Sequence, residues 1–477
     1  MNIDQIQSTK KLIQKKEHSQ IGIVDYKINT FVKDAMAISS SSIVRRLQDK
    51  TQVFPLDKND FIRTRLTHSM EVSAIGKQLG IMINQSEYCK AIAYAPQILE
   101  CAGLLHDLGN PPFGHFGEIV IKEWFKKELN SNKFTFKGKL IKDIFDGQFI
   151  LDLLNFNGNA QTFRLLTKVY HNDNGKNLNL SYSIISTLIK YPVSSIEMDS
   201  KSNNIALHKL GYFFAERNAM RRIAEEVGTY LDGKYVRHPL AFLLEAADDI
   251  AYATSDLEDA FKKKLFTIQE FIDFLKKYDG NAYYTEIVDF LKKYDGNAYY
   301  TKIVDLIEKI FGQNLDSEFA MFHEWILEMK WRLMYTTSFS FTKNISSIMK
   351  GEFEDDLFSG TVHEQTLKML KQAAVEFAFN NKSVLKLEIA GKTILENLLQ
   401  QFVYAVIYWD TDEKLSKTDL RLVSLISKDF KNDYLKSKGL NENYNLYLRF
   451  LMVIDFISSM TDSHAKNLYR ELNGLEE

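Results

Sequence analysis

Apolar residues recur at spacings of three and four over most of this chain, the period of a helix that buries one face. Leu66 to Leu79 (LTHSMEVSAIGKQL) follows that pattern and predicts an amphipathic helix. Ala91 to His106 is more uniformly apolar and predicts a buried helix, ended by Gly109 and the prolines Pro111 and Pro112. A further helix is expected from near Gly114 through EIVIKEWFKKEL, and a long one from Pro239 to Phe261 with acidic residues on its apolar face. The helical pattern begins at Ile43, Val44 and Leu47, whereas residues 1 to 40 read as an arm. Residues 128 to 150, Lys-rich with Gly138 and Gly147, predict a surface loop or short hairpin. Beyond residue 310 the pattern is helical to the last residue, with turns near Gly351, Gly360 and Gly439.

One segment repeats. FLKKYDGNAYYTEIVD (274–289) is followed at once by FLKKYDGNAYYTKIVD (290–305), the two differing only at Glu286 and Lys302. Two copies fall short of the three or more that a stacked solenoid needs, so the repeat reads as a tolerated surface insertion. The expected organisation is an arm (1–40), a core (41–262), a helical insertion (263–310) and a C-terminal helical region packed on the core (311–477).

Composition agrees with an all-α protein: only six prolines in 477 residues, and 45% hydrophobic residues, enough for a large core. Lys and Arg number 60 against 62 Asp and Glu, so overall charge argues for neither a nucleic-acid nor a membrane partner. Local basic patches such as 122–143 leave single-stranded nucleic acid open as a partner. The two cysteines, Cys89 and Cys101, exclude a disulfide scaffold and point to a reducing cytoplasm. The polar opening lacks a signal peptide's apolar core, and no apolar run is long enough to span a bilayer.

The chemistry concentrates in HDLGNPPFGHFGE, His106 to Glu118. An adjacent His-Asp pair stands beside a turn and then a second His with a Glu three residues later. Metal-ligating and proton-moving groups lie together, as hydrolysis by an activated water requires. The pair supplies two ligands and needs more. His68 is the upstream candidate, with Arg65 three residues before it on the same helical face. Taken alone, those two would read as a surface pair. Downstream, Asp248, Tyr252 and Asp256 form one stripe at i, i+4 and i+8. Such a stripe is ordinarily a solvated face, but the alanines Ala246, Ala247, Ala251 and Ala253 around it fit that less well. The sharper reading takes Asp248 as the fourth ligand and Tyr252 and Asp256 as substrate contacts, with Asp249 turned about 100° away.

His68, His106-Asp107 and Asp248 stand in the order of the HD phosphohydrolase superfamily. The words RRLQDKTQVFPLDKNDFIRTRLTHSMEV (45–72), LLHDLGNPPFGHFGE (104–118) and EAADDIAYATSDLEDA (245–260) closely resemble the deoxynucleoside triphosphate triphosphohydrolases, the dGTPase-like family. GNAQTFRLL (158–166), LIKYPVSS (188–195) and ISSMTDSHAKNLYRELNG (457–474) extend the resemblance over most of the chain. The duplicated segment looks private to this chain, and its N-terminal part is less arginine-rich than the family's. The resemblance implies an all-α HD-domain helical core with additional C-terminal helices.

It further implies hydrolysis of dGTP or other dNTPs to the deoxynucleoside and inorganic tripolyphosphate, with attack at the α-phosphorus and departure of the 5′ oxygen. His68, His106, Asp107 and Asp248 would hold a divalent metal: Mg, Mn or Fe. His115 would protonate the leaving oxygen, held by Glu118; without these neighbours His115 would read as a helix-start residue packing on Phe113 and Phe116. Gln52 and Val53 match the family's sugar-pocket segment. Arg65, Lys190 and Lys209 would contact phosphates, and Tyr191, Tyr252 and Asp256 would line the pocket. Asn110 stands where some relatives carry histidine. The family precedent is a homo-oligomer, tetramer or hexamer, with a nucleotide activator as a further partner. The rivals are a guanosine tetraphosphate hydrolase, a 5′-nucleotidase, and a non-catalytic nucleotide- or single-strand-binding oligomer.

Overall fold

The computed structural model describes residues 1–13, 29–54, 61–169, 178–279 and 315–475. The principal helices, in chain order, are α1 (Thr30–Ser39), α2 (Arg65–Asn84), α3 (Ala95–Leu105), α4 (Gly114–Leu129), α5 (Gly158–Arg164), α6 (Pro239–Lys262), α7 (Leu315–Lys350), α8 (Glu364–Ala374), α9 (Lys382–Val406), α10 (Glu442–Ser458) and α11 (Asp462–Leu472). Strand is confined, among the described residues, to two hairpins: β1 (Thr135–Phe136) with β2 (Lys139–Leu140), and β3 (Tyr230–Leu231) with β4 (Lys234–Tyr235). The fold is all-α. No helix of the described residues is long and apolar enough to cross a membrane.

Thr64 starts α2 with a capping box, Thr67 Oγ1 accepting from the Thr64 amide at 2.9 Å. The helix then buries polar residues (Arg65, His68, Ser69 and Ser73) along with its aliphatic ones. It can do so because α3 lies unusually close. A Cβ on Gly103 would stand 2.5 Å from Ser73 Cα, so only glycine permits that approach. The close pairing brings the His68 and His106 rings to 5.3 Å between centroids. Pro96 occupies the first turn of α3, and residues 91–94 form turns ahead of it, later than the expected start at Ala91. Helix α6 packs on both α2 and α3, and is covered in turn by α7 and α8; α9 packs against α4, α10 and α11. One continuous apolar cluster runs from Ile6 to Leu468.

Two sequence expectations are corrected. The first 40 residues, where described, are not a loose arm. Ile6, Phe31 and Ile38 are buried, and the buried Asp34 carboxylate accepts from the Ser181 amide at 3.0 Å and the Ser181 hydroxyl at 2.6 Å. The residues at 128–150 include the β1–β2 hairpin, yet Phe134, Phe136, Ile141 and Phe145 are buried, with the Phe134 ring stacked on Phe450 at 5.5 Å. Gly147 opens a helix, Gly147–Leu154, rather than a loop. Lysine-rich composition hid alternating aromatics that need a core. Gly351 and Gly360 make turns in left-handed conformation (φ 75° and 68°). Of the tandem repeat, residues 274–279 close the helix Ile268–Asp279, and 280–305 lie outside the described residues. Both cysteines are buried and unbridged.

Candidate active site

Three helices converge on four side chains. His68 lies in the first turn of α2, His106 caps the C-terminus of α3 with Asp107 following it, and Asp248 projects from the middle of α6. Asp248 Oδ1 is 3.1 Å from His68 Nε2 and 3.4 Å from His106 Nε2; Asp107 Oδ2 is 3.6 Å from His106 Nε2. Donor atoms of His68, His106 and Asp107 all fall within 4.8 Å of one another. Ligands each about 2.1 Å from a common ion stand about 3.0–3.5 Å apart, so this spacing fits a divalent cation. His106 Nδ1 lies 2.8 Å from the Gly103 carbonyl oxygen, which assigns the proton to Nδ1 and leaves Nε2 as a donor to the site. Nε2 itself is buried without a hydrogen-bond partner, as a ligand atom should be.

Charge is concentrated here. Burial opposes protonation of His106, but Asp107 and Asp248 outweigh it and raise the imidazole to about 9. Burial likewise disfavours the Asp107 anion, yet Arg65 and His106 hold its carboxyl down to about 2. Asp248 is kept well below the usual carboxylate range by the two histidines, against burial. A cation would take the place of the proton that these carboxylates now favour. The buried Arg65 pairs with Asp107, and Asn110 Nδ2 donates to Asp107 Oδ1 at 2.6 Å. Asp249 faces away and pairs with Lys371 at 2.8 Å.

The second half of the motif follows a rigid turn. The Gly109 amide donates to Thr162 Oγ1 at 2.8 Å, and Phe113 and Gly114 are both left-handed (φ 63° and 61°). His115 then opens α4 with its ring 70% exposed, Nδ1 lying 3.8 Å from Glu118 Oε2. Glu118 is buried and accepts from the Gly158 amide at 2.8 Å. Burial would raise its carboxyl, but His115 and the Gly158 amide lower it overall, so it stays ionised. The arrangement offers a solvent-facing imidazole with a fixed anion behind it.

The remaining predicted site residues differ in how they stand to these groups. Gln52 and Val53 lie just after an isolated bridge between Thr51 and Thr64, which ties their segment to the start of α2. Val53 is buried, and Gln52 Oε1 is buried without a partner. Tyr252 is half-buried and close enough to feel Asp256, Asp248 and Arg65, but one face of its ring is stacked on Phe379 at 5.5 Å. Asp256 does not line an open surface: it is 1% exposed, with both carboxylate oxygens unpartnered and its carboxyl raised well above normal by burial and then by Asp259. Lys190 is paired with Glu245 at 2.8 Å, and Glu245 also pairs with Arg237. Lys190 and Lys209 flank the Tyr191 ring at 5.6 and 5.9 Å. Lys190 feels Asp248 and Asp249, and Lys209 feels Glu118, so this cluster adjoins both halves of the site. Sequence reasoning missed Lys50, Thr51, Gly158 and Asp462, although all four fall inside the words that carry the family resemblance.

The HD domain family profile matches residues 65–154, which include His68, His106, Asp107, His115 and Glu118 but not Asp248. The chain is therefore of the HD-domain class, the class of phosphohydrolases built on this helical core. A deoxyguanosinetriphosphate triphosphohydrolase-like protein of Listeria monocytogenes is 39% identical over 98% of this chain and 99% of its own length, and one of Listeria innocua matches equally. A deoxyguanosinetriphosphate triphosphohydrolase of Yersinia enterocolitica is 29% identical over 95% of both chains. The chain belongs to the deoxyguanosinetriphosphate triphosphohydrolase family.

Proposed function

We propose that the protein hydrolyses deoxynucleoside triphosphates, dGTP among them, to the deoxynucleoside and inorganic tripolyphosphate. The observation that carries this reading is the convergence of the four donors with His115 and Glu118 across one short turn. His68, His106, Asp107 and Asp248 would hold a Mg, Mn or Fe ion. Such an ion, when bound, neutralises the α-phosphate and activates the attacking water. Arg65, buried beside Asp107, adds fixed positive charge for the phosphate oxygens. Lys190 contributes as half of an ion pair with Glu245, so it orients phosphate rather than supplying a free charge; Lys209 stands across Tyr191 from it.

His115 is free to approach the leaving 5′ oxygen, and Glu118 stabilises its protonated form. The unpartnered Gln52 Oε1 would find in the sugar hydroxyl the partner it lacks within the chain; Asp256, sealed from solvent, would reach substrate only through a local opening. Tyr252, backed by Phe379, offers its other face to the deoxyribose. The organisation read from the sequence (core, insertion and C-terminal region, with the N-terminal 40 residues, where described, packed on the core), a tetramer or hexamer, a nucleotide activator or single-stranded DNA as further partner, and a cytoplasmic location all belong to this proposal.

Purified protein incubated with each dNTP and Mn should release tripolyphosphate and deoxynucleoside. Release of pyrophosphate or monophosphate, or hydrolysis of guanosine tetraphosphate or a nucleoside monophosphate instead, would assign the site to a different HD phosphohydrolase. Nucleotide binding with no turnover of any of these would leave a non-catalytic binding oligomer.

A further inference from the structure

Asp462 is the first residue of α11, far along the chain from every group discussed above, and is 2% exposed. Its Oδ2 accepts from the Thr51 amide at 3.0 Å and from the Thr51 hydroxyl. Its Oδ1 accepts from the Phe113 amide at 3.0 Å. One carboxylate thus holds the residue before Gln52 and the residue two before His115. The neighbouring Lys50, 3% exposed, repeats the connection with opposite charge. Its Nζ donates to the Asn110 carbonyl at 2.7 Å and to the Ser458 carbonyl at 2.6 Å, at the end of α10. The same three stretches of chain (50–51, 110–113 and 458–462) are therefore tied together twice.

We propose that Asp462 and Lys50 are positioning residues of the hydrolytic site, a clamp by which the C-terminal helices hold the Gln52–Val53 segment and the His115 turn in one register. The inference rests on the proposed function above for its catalytic consequence, though not for the mechanical one. Two features favour a positional role over simple cohesion. Val53, Phe113 and Met460 already belong to the common apolar core, and burying a carboxylate and an ammonium is a costly way to add stability. Phe113, moreover, holds a left-handed backbone that a bulky residue rarely adopts. Its amide is fixed by Asp462 and its ring is pressed against α9, where a Cβ on Gly391 would stand 2.8 Å from Phe113 Cγ. Relaxation at Phe113 would shift His115, two residues on, whose exposed ring is held only loosely, 3.8 Å from Glu118 Oε2. Glu118 would stay behind, anchored separately on Gly158.

Asp462→Asn tests this. The amide keeps the size of the carboxylate but has one acceptor, so it must release either Thr51 or Phe113. Hydrogen exchange should rise about tenfold or more in peptides covering 50–54 or 109–118, with α2 and α3 unchanged. Turnover of dNTP per folded molecule should fall about 100-fold at saturating substrate, with Mn affinity unaltered. A purely structural residue would lower the melting temperature and leave kcat of the folded protein intact, and that result would overturn the proposal. Unchanged exchange in both peptides would overturn it too. Should wild-type protein turn over no dNTP, the functional reading fails while the exchange experiment still decides the clamp. Thr51→Val, which deletes one donor, carries the same test if Asp462→Asn does not fold, with faster exchange at 50–54 expected and no change overturning the idea.

Discussion

Buried charges gather in two places in this protein, and they are built differently. Around Arg164 the chain supplies its own cation. Arg164 Nε and Nη2 donate to Asp455 at 2.8 and 2.7 Å, and Nη1 donates to Glu216 at 2.6 Å, all three side chains being essentially inaccessible. At the His68–His106–Asp107–Asp248 cluster no lysine or arginine among the described residues is paired with the imidazole nitrogens, His106 Nε2 lacks a hydrogen-bond partner there, and Asp248 keeps 36% of its side chain open to solvent. A sealed cluster that carries its own cation, with Glu216 Oε2 left unpartnered, joins α5 to α10. The other is open to solvent and presents ligand atoms that the chain itself does not bond. Unmet bonding capacity combined with an opening to solvent, more than burial or charge, marks the candidate site.

The sharpest way to break that contrast is to remove one member from each. His106→Ala should abolish metal binding and lower dNTP turnover by at least about 10^4-fold. Its unfolding midpoint without metal should barely move; metal content by atomic absorption and urea denaturation check the two halves. His115→Ala should reduce kcat by about 10^2–10^4-fold with metal content unchanged. Lost metal in that variant would show that His115 is a ligand and not an acid. Arg164→Met makes the opposite prediction: a stability loss of about 3–5 kcal/mol from two stranded carboxylates, with metal stoichiometry of the folded protein intact.

Asp152 supplies the smallest effect and a pH signature. Burial raises its carboxyl to about 6, against hydrogen bonds from Ser195, Tyr447 and the Phe214 amide. The native value lies above the unfolded one near 3.8, so between about pH 4 and 6 the native state binds more protons. Its contribution to stability is complete below about pH 4, declines as pH rises through 6, and is constant above. The decline amounts to about 3 kcal/mol. Stability of wild type minus that of Asp152→Asn, followed by urea unfolding from pH 4 to 8, should show this slope; a flat difference would place Asp152 in a wetter environment.

The locally encoded parts were legible. The turn from Gly109 to Pro112, the placement of His115 three residues before Glu118, and the helices carrying His68 and Asp248 all follow from spacing and from glycine and proline chemistry. The apolar hairpin at 134–140 was obscured because lysines dominate its composition while its aromatics alternate inward. Lys190 looked like a free phosphate contact because its partner Glu245 comes from α6, distant along the chain. Lys50 and Asp462 were invisible for the same reason, with Asp462 about 400 residues away from Thr51, which it holds.

What the sequence by itself determined was an all-α chain and a segment that pairs candidate metal ligands with a candidate proton donor, since helical period and ligand spacing are short-range properties of the polymer. Only the tertiary structure decided that Asp256 is sealed and unpartnered, that Lys190 arrives already neutralised, and that α11 reaches back to clamp the His115 turn. Burial and ion pairing depend on which distant segments meet, and no local pattern records that meeting.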